Sequence, residues 1–379
     1  MSLVLSEEQN LLKQTAAEFI SEHSPITHLR NMRDSADPIG FSRDLWKQMA
    51  ELGWTGILLP EQYGGSDLGM AELGVLLEEC GRTLAPYPFL STAVMGATAI
   101  ALGGNEKQKS AILTGISSGE QIVTVAFQES PRFAPYAIST SAQPSANGFV
   151  LSGKKTWVWD ACGADRLIIA ARTHGQSGDR SGISLFLVDP ATQGVTVTRT
   201  QMVDSRNAAQ LQLDNVCVES EALIGVLNEG AEILDAVYER CTVAIAAELF
   251  GISQEIFERT LAYLKTREQF GTLIGTFQAL KHRAADLFCE VELTHSIVLE
   301  ALRAIDEDRP YRARLVSAAK ARASDTASRV CREGLQMHGG IGMTDEVDIG
   351  LFMKRAKAAE IALGDSSFHR NRFAEITGF

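Results

Sequence analysis

Apolar residues recur at helical spacing in the first third of the chain, between Ser6 and about Gly119. Pairs such as Leu11-Leu12 and Phe19-Ile20 are separated by about two turns, which is typical of amphipathic or buried helices. The segment LLPEQYGG at 58–65 cannot continue a helix, because proline lacks a donor and paired glycines favour a loop. The pattern predicts an N-terminal all-α domain over residues 1–120.

The period changes between residues 121 and 227, where short alternating or β-branched runs are separated by turn residues. Turn signals include SANG at 145–148 and GDRSG at 178–182. The predicted strands are 122–127, 148–152, 166–171, 183–188, 195–199 and 209–213. We therefore expect an all-β middle domain, a small barrel or sandwich.

Helical spacing returns over residues 228–379, with long segments near 229–266, 275–305, 310–338 and 346–377. Four long helices joined by short turns favour an antiparallel four-helix bundle. The predicted fold class is thus α+β, with the sheet between two helical domains. The length of 379 residues agrees with more than one domain, since a single core rarely grows to that size.

Composition limits the classes of partner. The chain has 35 basic and 47 acidic residues, a net charge of −12, which disfavours nucleic acid. The start has no basic segment followed by an apolar core, and no apolar stretch approaches the roughly 20 residues of a membrane span, so we expect a soluble, cytoplasmic protein. Six scattered cysteines predict reduced thiols and no metal site.

The most specific run is KTREQFGTLIGTFQALKHR at 265–283, which resembles the flavin-gripping segment of the acyl-CoA dehydrogenases. The resemblance implies that Arg267 faces the FAD pyrophosphate of a neighbouring subunit, that Phe270 packs near the adenosine and that Gln278 hydrogen-bonds it. A planar, permanently charged guanidinium suits two phosphate oxygens. The alternative is that Arg267 is a surface residue paired with Glu268 or Glu258, with Phe270 in the core and Gln278 in a turn.

A second segment, GLQMHGGIG at 334–342, resembles the glycine-rich loop of the same family. The resemblance implies that Gln336, Gly339 and Gly340 contact FAD across a dimer interface, where glycine lets backbone amides approach a dinucleotide. Taken alone, the His-Gly-Gly sequence is more commonly explained by a helix C-cap. We expect His338 to be structural.

A third segment, GKKTWVW at 153–159, matches the strand in which a tryptophan borders the isoalloxazine, a role implied for Trp157. The family often has threonine where Trp159 stands. A fourth segment, FQESPR at 127–132, replaces the usual Thr-Glu-Pro stretch. Gln128 can still hydrogen-bond a flavin edge, but the loop lacks a clear equivalent of the family's serine on the thioester side.

The catalytic carboxylate expected from the resemblance is missing. The family's base aligns with Leu363, and the alternative position on the first bundle helix aligns with Cys241. Removing the α-proton of an acyl thioester requires a base. Nearby candidates are Glu239, Asp365 and Glu248, with alternative roles as a substrate contact, a helix cap or FAD contact, and a paired interface carboxylate. The main-chain N–H of Leu363 remains available to the thioester oxygen.

Three functions compete. The first is an FAD-dependent acyl-CoA dehydrogenase that forms a 2,3-enoyl-CoA and passes electrons to an electron-transfer flavoprotein. The second is a weakly catalytic or non-catalytic subunit of a heteromeric dehydrogenase, as among relatives of the divergent branch that act on steroid-like CoA esters. The third and least favoured is a flavin monooxygenase on the same scaffold. Each implies a homodimer or tetramer, or a homologous partner subunit.

Overall fold

The computed structural model describes residues 4–379 and begins with helices, as predicted. They are α1 (Glu7–His23), α2 (Ile26–Asp34), α3 (Arg43–Glu51), α4 (Met70–Thr83), a wide π-type helix (Phe89–Gly96), α5 (Ala97–Gly103) and α6 (Glu106–Ser117). Ser6 and Gln9 form a reciprocal capping box at the start of α1, which satisfies amide donors that would otherwise lack partners. The predicted break near Pro60 is a loop with one short turn, Glu61–Tyr63.

The middle of the chain forms one mixed eight-stranded sheet. Its strands are β1 (Val123–Ala126), β2 (Ser141–Ser145), β3 (Gly148–Trp159), β4 (Arg166–Arg172), β5 (Ile183–Val188), β6 (Val195–Gln201), β7 (Asn207–Glu219) and β8 (Leu223–Ile224). The order is β6-β7-β3-β2-β4-β5-β8, with β1 pairing in parallel with β4. The strand β2 was not predicted, because its sequence SAQPS is polar and contains proline. The main buried core of the sheet includes Leu151, Ile169, Phe186, Leu211 and Leu213.

The C-terminal part contains α7 (Gly230–Thr266), a hairpin of β9 (Glu268–Gln269) and β10 (Thr272–Leu273), α8 (Gln278–Asp306), α9 (Arg312–His338), α10 (Ile349–Ile361) and α11 (Ser366–Thr377). Helix α9 packs against α8, α10 and α11. The single helix predicted over 346–377 is wrong, since the structure has two helices there. Leu363 and Gly364 have φ angles of +52° and +100°, and Asp365 caps α11, so the helix ends at Ile361 and a new one begins.

By compactness the described chain divides into two units. One comprises the chain up to Arg30, Met70–Ala85 and Thr242–Phe379, and is almost entirely helical. The other comprises Asn31–Gly69 and Pro86–Cys241 and holds the eight-stranded sheet. The three-domain boundaries at 120 and 227 stay a prediction. Among the described helices, none combines the length and the apolar character required to cross a membrane.

Two glycines let α4 and α7 cross in close contact within the helical unit. A Cβ added at Gly251 would lie 2.0 Å from the carbonyl oxygen of Glu78, and one added at Gly81 would lie 2.4 Å from that of Glu248. Real Cβ atoms cannot approach backbone oxygens so closely, so each helix requires glycine where the other passes. The crossing fixes the position of Glu248, one of the candidate bases.

Replacing Gly251 with Ala should lower the free energy of unfolding by about 1–3 kcal/mol, because the added methyl group forces the two backbones apart. The matched control is Gly350→Ala in α10, where an added Cβ meets no atom within 4 Å. Alanine should there leave stability unchanged or raise it by up to about 1 kcal/mol. Chemical denaturation of the two variants and the parent measures both values. Equal effects of the two substitutions would contradict the close crossing.

Candidate functional site

The hairpin that follows α7 presents an aromatic ring to solvent. Phe270 and Gly271 form its two-residue turn, with φ angles of +56° and +76°, the combination that lets a tight turn match the twist of its strands. Phe270 is 91% exposed, and its ring packs edge-to-face with that of Phe277, with centroids 6.2 Å apart. Phe270 is therefore not a core residue, and its exposed ring is available for binding.

Arg267 lies at the base of this hairpin, where its carbonyl accepts a hydrogen bond from the Ile274 N–H at 2.9 Å. Its exposed guanidinium has no partner among residues 4–379. The alternative pairing with Glu258 does not occur, because Glu258 instead pairs with Arg82 at 2.5 Å. The guanidinium fork of Arg267 is therefore available to an anion.

The glycine-rich loop lies beside the end of α7. The ring of His338, the last residue of α9, stacks on Tyr263 with centroids 4.3 Å apart, and the Tyr263 hydroxyl donates to the His338 carbonyl at 3.3 Å. His338 is buried, and its Nδ1 lies 2.7 Å from the Gly334 carbonyl oxygen. These contacts bring the ends of α7 and α9 together, which places the hairpin and the loop at one end of the helices.

The loop exposes bare backbone. Gly339 has φ +66° and ψ −143°, a conformation that is essentially restricted to glycine. A Cβ added at Gly339 or Gly340 would meet no atom within 4 Å, so crowding within the described chain does not demand glycine at either position. Gln336 and Gln278 are also exposed. Arg267, Phe270, Gln278, Gln336, Gly339 and Gly340 thus remain accessible.

In the sheet-bearing unit, an irregularity in β3 turns Trp157 outward. The pairing of β3 with β7 shifts register between Lys155 and Val158, and Trp157 has φ +55°. Such a bulge re-aims a side chain. The Trp157 side chain is 38% exposed, and the N–H of its neighbour Thr156 donates to the Gln128 carbonyl at 2.8 Å. The two sheet residues implied as flavin contacts, Gln128 and Trp157, therefore lie on neighbouring segments.

A buried ion pair, which the sequence did not predict, ties these segments together. Lys155 is fully buried and its Nζ lies 2.6 Å from a Glu129 oxygen. Burial lowers the pKa of Lys155 to about 8, although Glu129 opposes the shift. Burial alone would raise the pKa of Glu129, but Lys155 and donors from Thr140 and Ser139 lower it below the usual value. The pair fixes the loop after β1 against β3.

The candidate bases are in different environments. Asp365 accepts the Phe368 N–H at 2.9 Å as the cap of α11. Glu248 is buried and lies 3.2 Å from the guanidinium of Arg355, itself fully buried. Glu239 is half-buried on α7, two residues before the buried Cys241. Whether any of them acts as a base stays a prediction.

The segment that holds Leu363 is fixed by two residues that the sequence did not indicate. Buried Lys320 of α9 donates to the carbonyls of Glu360 at 2.7 Å and Gly364 at 2.9 Å. Nε2 of buried His369 lies 3.0 Å from the Leu363 carbonyl oxygen. The available signal was weak, since Lys320 is one of several charged residues among alanines in its helix and His369 follows the turn residues Gly364 and Asp365.

Comparison with known proteins identifies the family. Residues 6–120, 131–216 and 228–377 match the N-terminal, middle and C-terminal domain models of acyl-CoA dehydrogenase. A protein named probable acyl-CoA dehydrogenase YngJ from Bacillus subtilis is 31% identical, over 98% of each chain. The chain belongs to the acyl-CoA dehydrogenase family. Its fold is the mixed α+β fold of that family, whose members are oxidoreductases acting on acyl-CoA.

Two solved structures carry further information. A variant of the Tcur3481-Tcur3483 steroid acyl-CoA dehydrogenase has 31% identity and a TM-score of 0.87 over 98% of each chain. The ChsE4-ChsE5 complex from Mycobacterium tuberculosis has 25% identity and a TM-score of 0.90, over 100% of this chain and 99% of that one. Both names describe pairs of chains.

FAD is the cofactor of this family, and the described residues fit it. The exposed Arg267 fork suits the pyrophosphate, the open backbone at Gly339 and Gly340 admits the dinucleotide, and Phe270 offers a ring to the adenosine. Within the sheet-bearing unit, the partly exposed indole of Trp157 has the flat shape on which an isoalloxazine ring would stack, and Gln128 lies on the neighbouring segment. FAD supplies the acceptor for hydride in the reaction.

Replacing Arg267 with Ala should weaken FAD retention by roughly 10- to 100-fold, the loss expected when a charge-assisted hydrogen bond of about 1.5–3 kcal/mol is removed. Lys265→Ala, which removes an exposed cation two residues away, should retain FAD like the parent. Flavin content after gel filtration and a fluorescence titration of apoprotein with FAD measure both. Parental affinity in the Arg267 variant would exclude the pyrophosphate contact.

Proposed function

We propose that this chain acts in the α,β-dehydrogenation of an acyl-CoA thioester to a 2,3-enoyl-CoA, with electrons passed to an electron-transfer flavoprotein. The main support is the set of accessible residues around Arg267 and Gly339, where an exposed cation, an exposed ring and bare backbone share an end of the helices. A soluble, cytoplasmic homodimer or tetramer belongs to the proposal, since these residues are accessible in the single chain and suit a flavin held by a second copy.

The chemistry requires removal of the α-proton as hydride leaves the β-carbon. A hydrogen bond to the thioester carbonyl increases the acidity of that proton, because it stabilises the negative charge that develops on oxygen. The Leu363 N–H has no acceptor among the described residues, so it can make that bond. Polarisation of the substrate is thus retained, whereas the Leu363 side chain cannot accept a proton.

Within this chain, Glu239 is our first candidate for the base. Asp365 is engaged in its cap, and proton acceptance would cost that bond. Glu248 is held by Arg355 in a buried ion pair, and action as a base would cost that pair. Glu239 is half-buried on α7, close to the position where the other branch of the family has its carboxylate.

A second candidate function is favoured by a specific observation: Leu363 and Cys241, the two positions at which the resemblance places a carboxylate, carry none. In this alternative, the chain binds flavin and polarises substrate as a weakly catalytic subunit, and a homologous partner supplies the base. The two-chain complexes among the similar structures support it. Steroid-side-chain thioesters are then the first substrate class to examine.

Anaerobic titration of the purified chain with short, long, branched and steroid-side-chain acyl-CoAs tests the proposal, with flavin absorbance as the signal. Bleaching by any of these compounds establishes a self-sufficient dehydrogenase. A chain that holds FAD but is not reduced by any of them would refute the self-sufficient form and favour the partner-dependent one. Co-expression with a homologous chain that carries a carboxylate should then restore bleaching.

Replacing Leu363 with Glu should accelerate flavin reduction by acyl-CoA about 10²- to 10⁴-fold, the usual contribution of a positioned base. The control is Leu363→Gln, which has a similar shape but cannot accept a proton at neutral pH. Burial of the new carboxylate should lower the melting temperature, since Leu363 is only 2% exposed. Rapid-mixing absorbance measures the rates. Equal rates for the Glu and Gln variants would show that this position does not face the α-carbon.

A further inference from the structure

The loop between α10 and α11 is a buried, strained piece of backbone in the middle of a helical unit. Leu363 has φ +52° and is 2% exposed, and the carbonyl oxygens around it lie outside any helix ladder. A buried carbonyl without a donor is costly, and a left-handed leucine costs further free energy. The conformation persists because side chains from other parts of the chain donate hydrogen bonds to these carbonyls.

Those donors come from two fully buried side chains on different helices. Lys320, 0% exposed, reaches from α9 to the carbonyls of Glu360 and Gly364, one on each side of Leu363, at 2.7 and 2.9 Å. His369, 1% exposed, reaches back from α11 to the carbonyl of Leu363 itself at 3.0 Å. The carbonyl that directly follows the Leu363 N–H is therefore held, and so are the carbonyls of Gly364 and, three residues before Leu363, of Glu360.

The hydrogen bond defines the protonation state of the His369 ring. Since a carbonyl only accepts, Nε2 of His369 carries the proton and Nδ1 carries the lone pair. Nδ1 is buried and has no partner in the described chain, so a second proton there would be a desolvated charge. Burial and then the charge of Lys320 lower the His369 pKa to about 3, so the ring is neutral at pH 7. Neutral His369 donates to Leu363 without adding a charge.

We propose that Lys320 and His369 position the backbone N–H of Leu363 to donate a hydrogen bond to the thioester carbonyl of a bound acyl-CoA. They are positioning residues that act through the Leu363 peptide group. This inference rests on the proposed function for its ligand. It does not require that the chain hold a base, because a carbonyl can be polarised whether or not a proton is then removed.

The test compares His369→Leu with His369→Gln in the FAD-loaded protein. Glutamine can place an amide donor near the position of Nε2, whereas leucine has no donor. The probe is 2-octenoyl-CoA labelled with ¹³C at the thioester carbon, and isotope-edited infrared spectroscopy reads the carbonyl band. In the parent and the Gln variant the band of the bound probe should lie below its frequency in buffer, and in the Leu variant it should return towards the buffer value.

Hydrogen exchange gives a readout that needs no ligand. Peptides that cover residues 361–369 should exchange about fivefold faster in His369→Leu, the factor for loss of one typical hydrogen bond, and near the parental rate in His369→Gln. Lys320→Met should accelerate exchange in the same peptides. Peptides from the middle sheet serve as the internal control, so a general loss of folding is recognised by acceleration everywhere.

The outcomes separate this inference from the proposed function. A shifted band in the parent that His369→Leu abolishes supports positioning, even where no acyl-CoA reduces the flavin. An unshifted band in the parent, or the same shift in the parent and the Leu variant, overturns it. Parental exchange over residues 361–369 in both His369→Leu and Lys320→Met would show that neither side chain holds the loop and would also overturn it.

Discussion

The buried backbone of the break between α10 and α11 must have hydrogen-bond donors, and this requirement organises the helical unit. A continuous helix would satisfy its own carbonyls, but the chain turns at Leu363 and leaves several without a partner in the ladder. Buried Lys320 on α9 and buried His369 on α11 supply the donors. Because the charge of Lys320 is desolvated, it needs acceptors, and it donates to the carbonyls of Glu360 and Gly364 and to the Ser324 hydroxyl oxygen. The position of α9 against both short helices is thereby tied to the loop.

The same kind of strain recurs at two of the proposed flavin contacts. Trp157, Phe270 and Leu363 are non-glycine residues with φ between +52° and +56°, and each has a structural cause that holds it there. A bulge holds Trp157, a two-residue turn holds Phe270, and the buried donors hold Leu363. Left-handed backbone at bulky residues costs about 1–3 kcal/mol each and persists where the surroundings impose it. Leu84 has φ +57° and no implied contact, so a left-handed backbone alone does not mark a binding position, and the case for these three rests on the resemblance and on their surroundings.

Sequence periodicity predicted the succession of helices, strands and helices, and motif order predicted FAD, because both are carried by residues close together along the chain. The break at Leu363 was missed although Gly364 and Asp365 are ordinary signals for a helix end and a helix start. Apolar spacing continued across them and concealed the boundary. The contacts that hold these segments could not be predicted from the sequence, for a different reason. Lys320 and the carbonyl of Gly364 are 44 residues apart, and Lys155 and Glu129 are 26 apart, so only tertiary structure pairs them.

Leu363 combines a costly backbone conformation with a side chain that cannot accept a proton. Holding Leu363 in a left-handed conformation requires two buried polar side chains, one of them charged, and a protein with no use for that N–H could adopt a cheaper helix connection. A leucine side chain stabilises the loop by burial, whereas a glutamate there would be a desolvated charge until substrate bound. Retaining the donor and replacing the base therefore separates two tasks, polarising the thioester and removing its proton. Under the proposed function the first task falls to the backbone of this chain, and the second to Glu239, to Asp365 or Glu248 released from its present partner, or to another subunit.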